Sequence, residues 1–163
     1  MIVSTLVPNE TDLREIVDAV TEAFLHEHAL SPSTLPEDGN ADDELWTGVV
    51  TVSGAFSGAV MLSCTRRFAR RAARAMFDQE SSGDDDSARD VLAELTTVIG
   101  GNVKGLFSTP AEGPCHLSIP LVSVGTPEFP NAGLLTEVWS QCTEDRIRVA
   151  IFKSNPDQAL SIS

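Results

Sequence analysis

The sequence predicts an α+β domain in which helices pack on an antiparallel β-sheet. A chain of 163 residues with 42% hydrophobic side chains is long enough to close one core. Apolar residues recur at helical spacing in three segments, and the strand-like segments follow one another without repeated strand–helix–strand units. We therefore expect a single domain over residues 1–163, in the order helix, hairpin, two helices and three strands.

Composition and charge exclude several classes of partner. Asp and Glu number 24 against 11 Lys and Arg, a formal net charge of -13, which would repel nucleic acid and anionic lipid. Apolar runs all fall short of the roughly 18 residues that a membrane helix needs, and the first residues lack the features of a secretory signal. We expect no nucleic acid partner, no membrane insertion and a cytoplasmic location.

Cysteine usage and motifs narrow the chemistry further. Cys64, Cys115 and Cys142 are odd in number, far apart and without CxxC spacing, so we expect reduced, mostly buried thiols. A glycine-rich phosphate loop, a GxSxG elbow, an HExxH pair and a DxDxDG loop are all missing from the sequence. The common enzyme motifs are thus absent, and nothing points to a metal or cofactor of the chain's own.

The first half of the chain predicts a helix, a loop and a hairpin. Residues 11–28 carry apolar side chains at helical spacing, and Thr11 or Asp12 can cap the start. Residues 31–44 are rich in Pro, Gly and acid, which is typical of an exposed loop. Residues 45–64 are small, β-branched or apolar, and indicate two antiparallel strands with a turn near residues 54–58.

The middle and end of the chain predict an arginine-rich helix and three strands. Residues 65–77 form an amphipathic helix with five arginines, for which salt bridges to nearby carboxylates are favoured over a phosphate site. The carboxylates of residues 84–86, or Ser87, are placed to start the next helix. Strands follow over residues 115–125, 133–142 and 146–153, and Pro120 indicates an edge or bulge that favours a homodimer.

The longest helix is predicted over residues 89–107, RDVLAELTTVIGGNVKGLF. At about 100° per residue, one third of its circumference is apolar. Opposite that face lies a row of residues at positions i, i+4, i+7 and i+11, where i is Asp90. Asn102 falls within the apolar arc, where an unpaired amide costs about 1–3 kcal/mol, so we expect it to be structural and to tie the helix to a neighbouring strand or loop. The predicted core residues are Val91, Leu92, Leu95, Val98, Ile99, Val103 and Leu106, and the opposite row is Asp90, Glu94, Thr97 and Gly101.

Two adjacent glycines in this helix require an explanation, because each costs up to about 1 kcal/mol relative to Ala. Gly100 and Gly101 allow another backbone to approach closely. The approaching backbone can belong to the same domain or to a docking partner. A partner better explains Gly101, which follows Thr97 by one turn on the outer row.

The spacing of these residues resembles the signature of the CheC, CheX and FliY family of chemotaxis phosphatases. That signature reads Asp or Ser, three residues, Glu, two residues, Asn, 22 residues and Pro. Asp90, Glu94 and Pro120 match in identity and spacing, whereas Thr97 stands in place of the Asn. The GGN at residues 100–102 is similar to a Gly-Asn that follows the motif in CheX proteins. Residues 18, 22 and 25 repeat the spacing without the amide, so one candidate site remains, as in CheX.

The resemblance implies a CheC/CheX-like fold and hydrolysis of the aspartyl phosphate of a CheY-like response regulator. The receiver is expected to hold the phosphoryl group, a Mg²⁺ ion and a lysine, so the phosphatase need only orient a water molecule. Glu94 would pair with that lysine and Thr97 would orient the water, with Asp90 and Gly101 facing the partner. The alternative is a module that binds a receiver or a motor protein with little or no hydrolysis.

Overall fold

The computed structural model describes residues 8–30, 44–77, 84–107, 113–143, 145–155 and 162, and shows an antiparallel sheet with three helices. The helices are α1 (Glu10–Leu25), α2 (Arg66–Phe77) and α3 (Asp85–Phe107); the strands are β1 (Leu45–Ser53), β2 (Gly58–Thr65), β3 (His116–Leu117), β4 (Leu121–Val124), β5 (Ala132–Cys142) and β6 (Asp145–Ser154). The α+β prediction is confirmed. The loop predicted over residues 31–44 lies outside the described residues except for Glu44.

The sheet has the order β3-β1-β2-β6-β5, and β4 also pairs with β1. The first strand predicted after α3 is therefore two short strands. On this edge Ser118 pairs with Thr51, and Leu121 pairs with Val49. Two residues, Ile119 and Pro120, therefore lie opposite the single residue Val50. One extra residue on an edge is a β-bulge, and it suits a proline because proline has no N–H to donate. The prediction of an edge or bulge at Pro120 is confirmed.

The main hydrophobic core lies between the sheet and the helices. Alternate residues of the strands point into it, among them Trp46, Val50 and Leu62, each at most 2% exposed. A smaller cluster on the opposite face of the sheet joins Met61 to Phe129 from the loop before β5. Burying side chains of this size contributes about 1.5–3 kcal/mol each. No helix in the described part of the chain is both long and apolar enough to cross a membrane.

Helix α1 begins one residue before the predicted cap. The Asn9 side chain accepts a hydrogen bond from the Asp12 N–H (2.8 Å), and the Asp12 carboxylate accepts one from the Asn9 N–H. This reciprocal capping box fixes the start at Glu10, so the prediction of Thr11 or Asp12 as the cap is wrong. The helix ends at Leu25 because His26 takes a left-handed backbone conformation, φ 56°.

Two arginines of α2 bind the start of α3. The guanidinium groups of Arg66 and Arg70 each place a nitrogen within 3 Å of the Asp85 carboxylate, at 2.6 and 2.9 Å. The hydrogen bonds from Arg66 hold the pKa of Asp85 below its usual value. Asp84 caps α3 by accepting from the Ser87 N–H at 2.8 Å, so α3 begins at Asp85, four residues before the predicted start.

Two further arginines of α2 bind the turn between β5 and β6. Arg67 and Arg71 contact the two oxygens of Asp145 at 2.7 and 3.1 Å, and Asp145 is only 3% exposed. Arg71 also pairs with Glu27 after α1 and donates to the Cys142 carbonyl. The interpretation of the arginine face as a set of salt bridges is confirmed for four of its five arginines, Arg66, Arg67, Arg70 and Arg71. These ion pairs fix α2 between α3 and the β5–β6 turn.

Helix α3 packs on β1 through glycines on both elements. A Cβ atom on Gly48 would lie 2.1 Å from the hydroxyl oxygen of Thr96, and one on Gly100 would lie 2.6 Å from a methyl group of Val50. A Cβ on Gly101 would meet nothing within 4 Å. Gly100 thus serves packing within the domain, while Gly101 lies on the open side of the helix.

The predicted core face of α3 requires corrections at five residues. Leu106 is 36% exposed and Val98 is half-buried, whereas Thr96, Gly100 and Phe107 are buried. The sheet covers the side of α3 that carries Gly100 and Phe107, where the Phe107 ring stacks on Phe56 of the β1–β2 turn. The buried arc of α3 is therefore centred closer to the small residues Thr96 and Gly100 than predicted. The spacing of large apolar residues does not reveal such a shift, because small residues do not contribute to it.

We predict that Asp145→Asn lowers the free energy of unfolding by about 2 kcal/mol, because a buried charged acceptor of two guanidinium groups is lost. Urea denaturation monitored by circular dichroism measures the change. Glu15→Gln, on an exposed position in the middle of α1, is the control and should change stability by less than about 0.5 kcal/mol. Equal effects of the two variants would contradict a special role for Asp145.

We predict opposite effects for alanine at the two neighbouring glycines of α3. Gly101→Ala should stabilise the protein by about 0.5–1 kcal/mol, since alanine favours the helix and the added methyl group enters open space. Gly100→Ala should destabilise it by about 1–3 kcal/mol, because the methyl group meets Val50. Urea unfolding of both variants tests the pair, and a gain in stability for Gly100→Ala would show that the helix does not pack as described.

Candidate functional site

The outer face of α3 carries the row of residues that the sequence predicted. Asp90 and Glu94 are exposed, and Thr97 and Gly101 are half-buried. Residues three apart on a helix have Cβ atoms about 5–6 Å apart, so the side chains of Glu94 and Thr97 can contact one molecule. The structure thus brings a carboxylate and a hydroxyl together on an accessible helix surface.

The hydroxyl group of Thr97 is held by its own helix. Its Oγ1 donates to the Ala93 carbonyl at 2.9 Å, while the neighbouring hydroxyl of Thr96 donates to the Leu92 carbonyl at 2.6 Å. A hydroxyl has one proton to donate and two lone pairs that accept. In this conformation Thr97 therefore presents its oxygen outward as an acceptor, with its only proton already used.

Asn102 does not have the predicted structural role. Its side chain is exposed, and its Nδ2 donates to the Val98 carbonyl of the same helix at 2.9 Å rather than to a strand or loop. Angular position placed Asn102 in the apolar arc, but the last two turns of α3 are covered only on the side of Gly100, Val103 and Phe107. The other half of the arc is open there, which also explains the exposure of Leu106.

Pro120 lies in the β-bulge of the sheet edge, which brings it near α3. Its position opposite Val50 brings it to the level of Gly100, which packs on Val50. The side chain of Leu117, on the same edge, would be 3.7 Å from a Cβ on Gly100. The edge of the sheet formed by β3 and β4 thus lies next to the Gly100 side of α3.

Sequence reasoning missed a group of exposed apolar side chains on this edge. Ile119 is 88% exposed, Leu121 is 54% exposed and Val124 is 51% exposed. The proline within an otherwise apolar strand pattern was the available signal, because the bulge it occupies turns Ile119 away from the sheet. The edge formed by β3 and β4 therefore exposes apolar side chains.

Two of the three residues that repeat the motif spacing in α1, Asp18 and Leu25, have a structural role. The Asp18 carboxylate accepts from the Ala29 N–H at 3.0 Å and lies 3.3 Å from Nδ1 of His28. Leu25 is 6% exposed and belongs to the main core. Asp18 thus holds the segment after α1, and α3 carries the single candidate site.

The cysteines are buried and without disulfide bonds, as predicted. Burial raises the pKa of the Cys142 thiol to about 11 and that of Cys64 well above its usual value. Both are protonated at neutral pH and so are poor nucleophiles. Across the described ranges, groups of three or more His, Cys, Asp or Glu side chains that could hold a metal ion are absent.

Comparison with known proteins identifies the fold. A structure of chemotaxis protein CheX from Desulfovibrio desulfuricans superposes with a TM-score of 0.66 at 14% identity, over 91% of this chain and 96% of the other. CheX from Vibrio vulnificus gives 0.65 at 13% identity, over 88% and 95%. A chain of the CheX–CheY–BeF3–Mg²⁺ complex from Borrelia burgdorferi gives 0.57 at 15% identity, over 89% and 98%. Among curated proteins, none matches.

The family follows from sequence as well as from fold. The family model described as chemotaxis phosphatase CheX matches residues 46–130, which are 85 of the 163 residues. The matched segment begins in β1 and includes all of α3, the bulge at Pro120 and β4. The chain therefore belongs to the CheX family of chemotaxis phosphatases.

Proposed function

We propose that this protein hydrolyses the aspartyl phosphate of a CheY-like response regulator, with α3 docked at the regulator's active site. The observation that carries the proposal is the pair of Glu94 and Thr97, one turn apart on the accessible face of a helix within the matched family segment. The Borrelia burgdorferi relative has been solved with CheY, BeF3 and Mg²⁺, which supports a receiver as the partner.

The receiver supplies most of the chemistry in this proposal. Its Mg²⁺ and lysine neutralise charge on the phosphoryl group, so what is lacking is a water molecule in line with the phosphorus–oxygen bond that breaks. The Mg²⁺ belongs to the phosphorylated substrate, and this chain contributes no cofactor. The exposed carboxylate of Glu94 pairs with the lysine and anchors α3.

Thr97 orients the attacking water by accepting a hydrogen bond from it. The Thr97 hydroxyl keeps donating its proton to the Ala93 carbonyl in a hydrogen bond, which fixes the oxygen with its lone pairs outward. The water oxygen then forms the new bond to phosphorus while the bond from phosphorus to the aspartyl oxygen breaks; the aspartate leaves as a carboxylate, and the water protons leave with the inorganic phosphate. A threonine oxygen reaches roughly 1 Å less far than an asparagine amide, and a misplacement of that size can cost about 100-fold in rate.

Asp90 and Gly101 complete the docking surface. Asp90 lies one turn before Glu94 and adds a second exposed carboxylate for a basic feature of the receiver. Gly101 lies one turn after Thr97, and the space around it is open. A large side chain at Gly101 would therefore obstruct a partner without disturbing the fold.

A specific observation favours a second candidate function. The Thr97 hydroxyl already donates its only proton to the Ala93 carbonyl, so it cannot also donate a hydrogen bond to the phosphoryl group. An asparagine amide can donate to the phosphoryl group through its nitrogen and accept from water through its oxygen. The second candidate is a CheX-like module that binds a receiver or a motor protein through the same face of α3 with little or no hydrolysis.

The single domain, the cytoplasmic location and the homodimer stay predictions. The edge formed by β3 and β4 exposes Ile119, Leu121 and Val124, and this is the surface that a homodimer would cover. Light scattering of the wild type beside Ile119→Asp would show whether the edge joins two copies.

We predict that Thr97→Val lowers the acceleration of receiver dephosphorylation by about 100-fold, because the shape is kept and the water-orienting oxygen is lost. Thr97→Ser keeps the oxygen and should retain most of the activity, and Thr97→Asn should equal or exceed the wild type. Each receiver from the same cell, phosphorylated with acetyl phosphate and Mg²⁺, serves as substrate, and phosphate release is followed. A wild type that accelerates none of them would exclude the phosphatase.

We predict that Glu94→Gln and Gly101→Trp each weaken receiver binding at least about tenfold, through loss of an ion pair and through obstruction. Isothermal titration calorimetry with a beryllofluoride-activated receiver measures the affinity. Thr97→Val should bind as the wild type does, which separates docking from hydrolysis. Unchanged binding of Glu94→Gln would show that the receiver docks elsewhere.

A further inference from the structure

We propose that Gly48 and Thr96 are positioning residues for the reaction: their contact sets α3 on the sheet so that Thr97 faces the receiver's phosphoryl group. This inference rests on the proposed function, since it assigns two further residues to the same site. Neither residue belongs to the outer row. Both lie beneath the site, on the side of α3 that faces β1.

The contact is tighter than ordinary packing and fully buried. Thr96 has no exposed surface, and its hydroxyl donates to the Leu92 carbonyl at 2.6 Å. A Cβ on Gly48 would lie 2.1 Å from that hydroxyl oxygen, 3.1 Å from the Thr96 Cβ and 3.4 Å from the Leu92 carbonyl oxygen. Any residue other than glycine at position 48 must therefore displace α3 or turn the Thr96 side chain.

A second contact one turn later gives the same constraint. A Cβ on Gly100 would lie 2.6 Å from Val50. On the helix, Gly100 comes four residues after Thr96, and on the strand, Val50 comes two residues after Gly48. Helix and strand advance about 6 Å and 7 Å over these intervals, so the two contacts remain in step. Two points of close approach fix both the distance and the rotation of α3.

Thr97 is the site residue most sensitive to this setting. It lies about 60° around the helix from Gly100, at the boundary of the buried arc, and is half-buried. Glu94 lies farther from the sheet and is exposed. A small displacement of α3 thus changes the surroundings of Thr97 while Glu94 still reaches the receiver.

The two neighbouring hydroxyls also share one stretch of backbone. Thr96 and Thr97 donate to the consecutive carbonyls of Leu92 and Ala93, and such bonds bend a helix slightly. Turning the Thr96 side chain would release the Leu92 carbonyl and alter that bend. The orientation of the Thr97 oxygen would change with it.

The test compares Gly48→Ala with the double variant Gly48→Ala/Thr96→Ala, in which the obstructing hydroxyl is removed. We expect Gly48→Ala to lower kcat for the acetyl-phosphate-phosphorylated receiver at least about tenfold, with KM within threefold, because misplacement acts on Thr97 and not on docking. The double variant should return to within threefold of Thr96→Ala alone. The matched control is Gly133→Ala, a strand glycine with nothing within 4 Å of an added Cβ, which should leave kcat unchanged.

A readout independent of activity separates this inference from the proposed function. The methyl resonance of Thr97, in threonine-methyl-labelled protein, should shift in Gly48→Ala and return toward the position of Thr96→Ala in the double variant. An inactive wild type would overturn the proposed function, and the methyl shifts would then decide whether the contact positions Thr97. An unshifted Thr97 methyl group in folded Gly48→Ala, or equal kcat losses for Gly48→Ala and Gly133→Ala, would overturn the inference.

A second pair of variants provides the test if Gly48→Ala does not fold. Gly100→Ala meets Val50, and Val50→Ala removes the methyl group it would meet. We expect the same loss of kcat in Gly100→Ala and the same recovery in the double variant, with circular dichroism confirming that both are folded. A kcat that falls only in proportion to the unfolded fraction would mean that the contact is structural alone.

Discussion

The close packing of α3 on β1 is the contact on which the arrangement of the site depends. Thr96 against Gly48 and Gly100 against Val50 bring helix and strand nearer than larger residues would allow. Interiors are close-packed and resist small displacements, so two such contacts hold the helix at one distance and one rotation. The side of α3 that remains for a partner is the accessible side, with the exposed Glu94 well away from these contacts and the half-buried Thr97 at their margin.

Charge is divided between ion pairs that join elements of the fold and carboxylates on the outer face of α3. Arginines of α2 bind Asp85 on one flank and Asp145 on the other, so much of the chain's positive charge is used to join its own elements. The outer row of α3 keeps exposed carboxylates at Asp90 and Glu94, within a chain of net charge -13. Such a surface suits a basic feature on a protein partner, and a receiver's lysine is the feature that our proposal assigns.

Membership of the CheX family does not by itself decide whether hydrolysis occurs, because the threonine at position 97 replaces the amide of the family pattern. The fold tolerates threonine there, since its hydroxyl bonds to the Ala93 carbonyl and its methyl group lies at a half-buried position. The reaction is more demanding than the fold, because a water molecule must be held within a fraction of an ångström. Catalysis and docking therefore depend on different atoms of one helix.

The sequence by itself determined the α+β class, the antiparallel sheet, the three helices, the edge at Pro120 and the outward row from Asp90 to Gly101. These follow from periodicity and from residues with strong local preferences. Only the tertiary structure decided that Asn102 is exposed, that Gly100 packs on Val50 while Gly101 is open, and that Thr96 rests on Gly48. Angular position says where a side chain points, whereas its burial depends on which element, distant in sequence, covers that point.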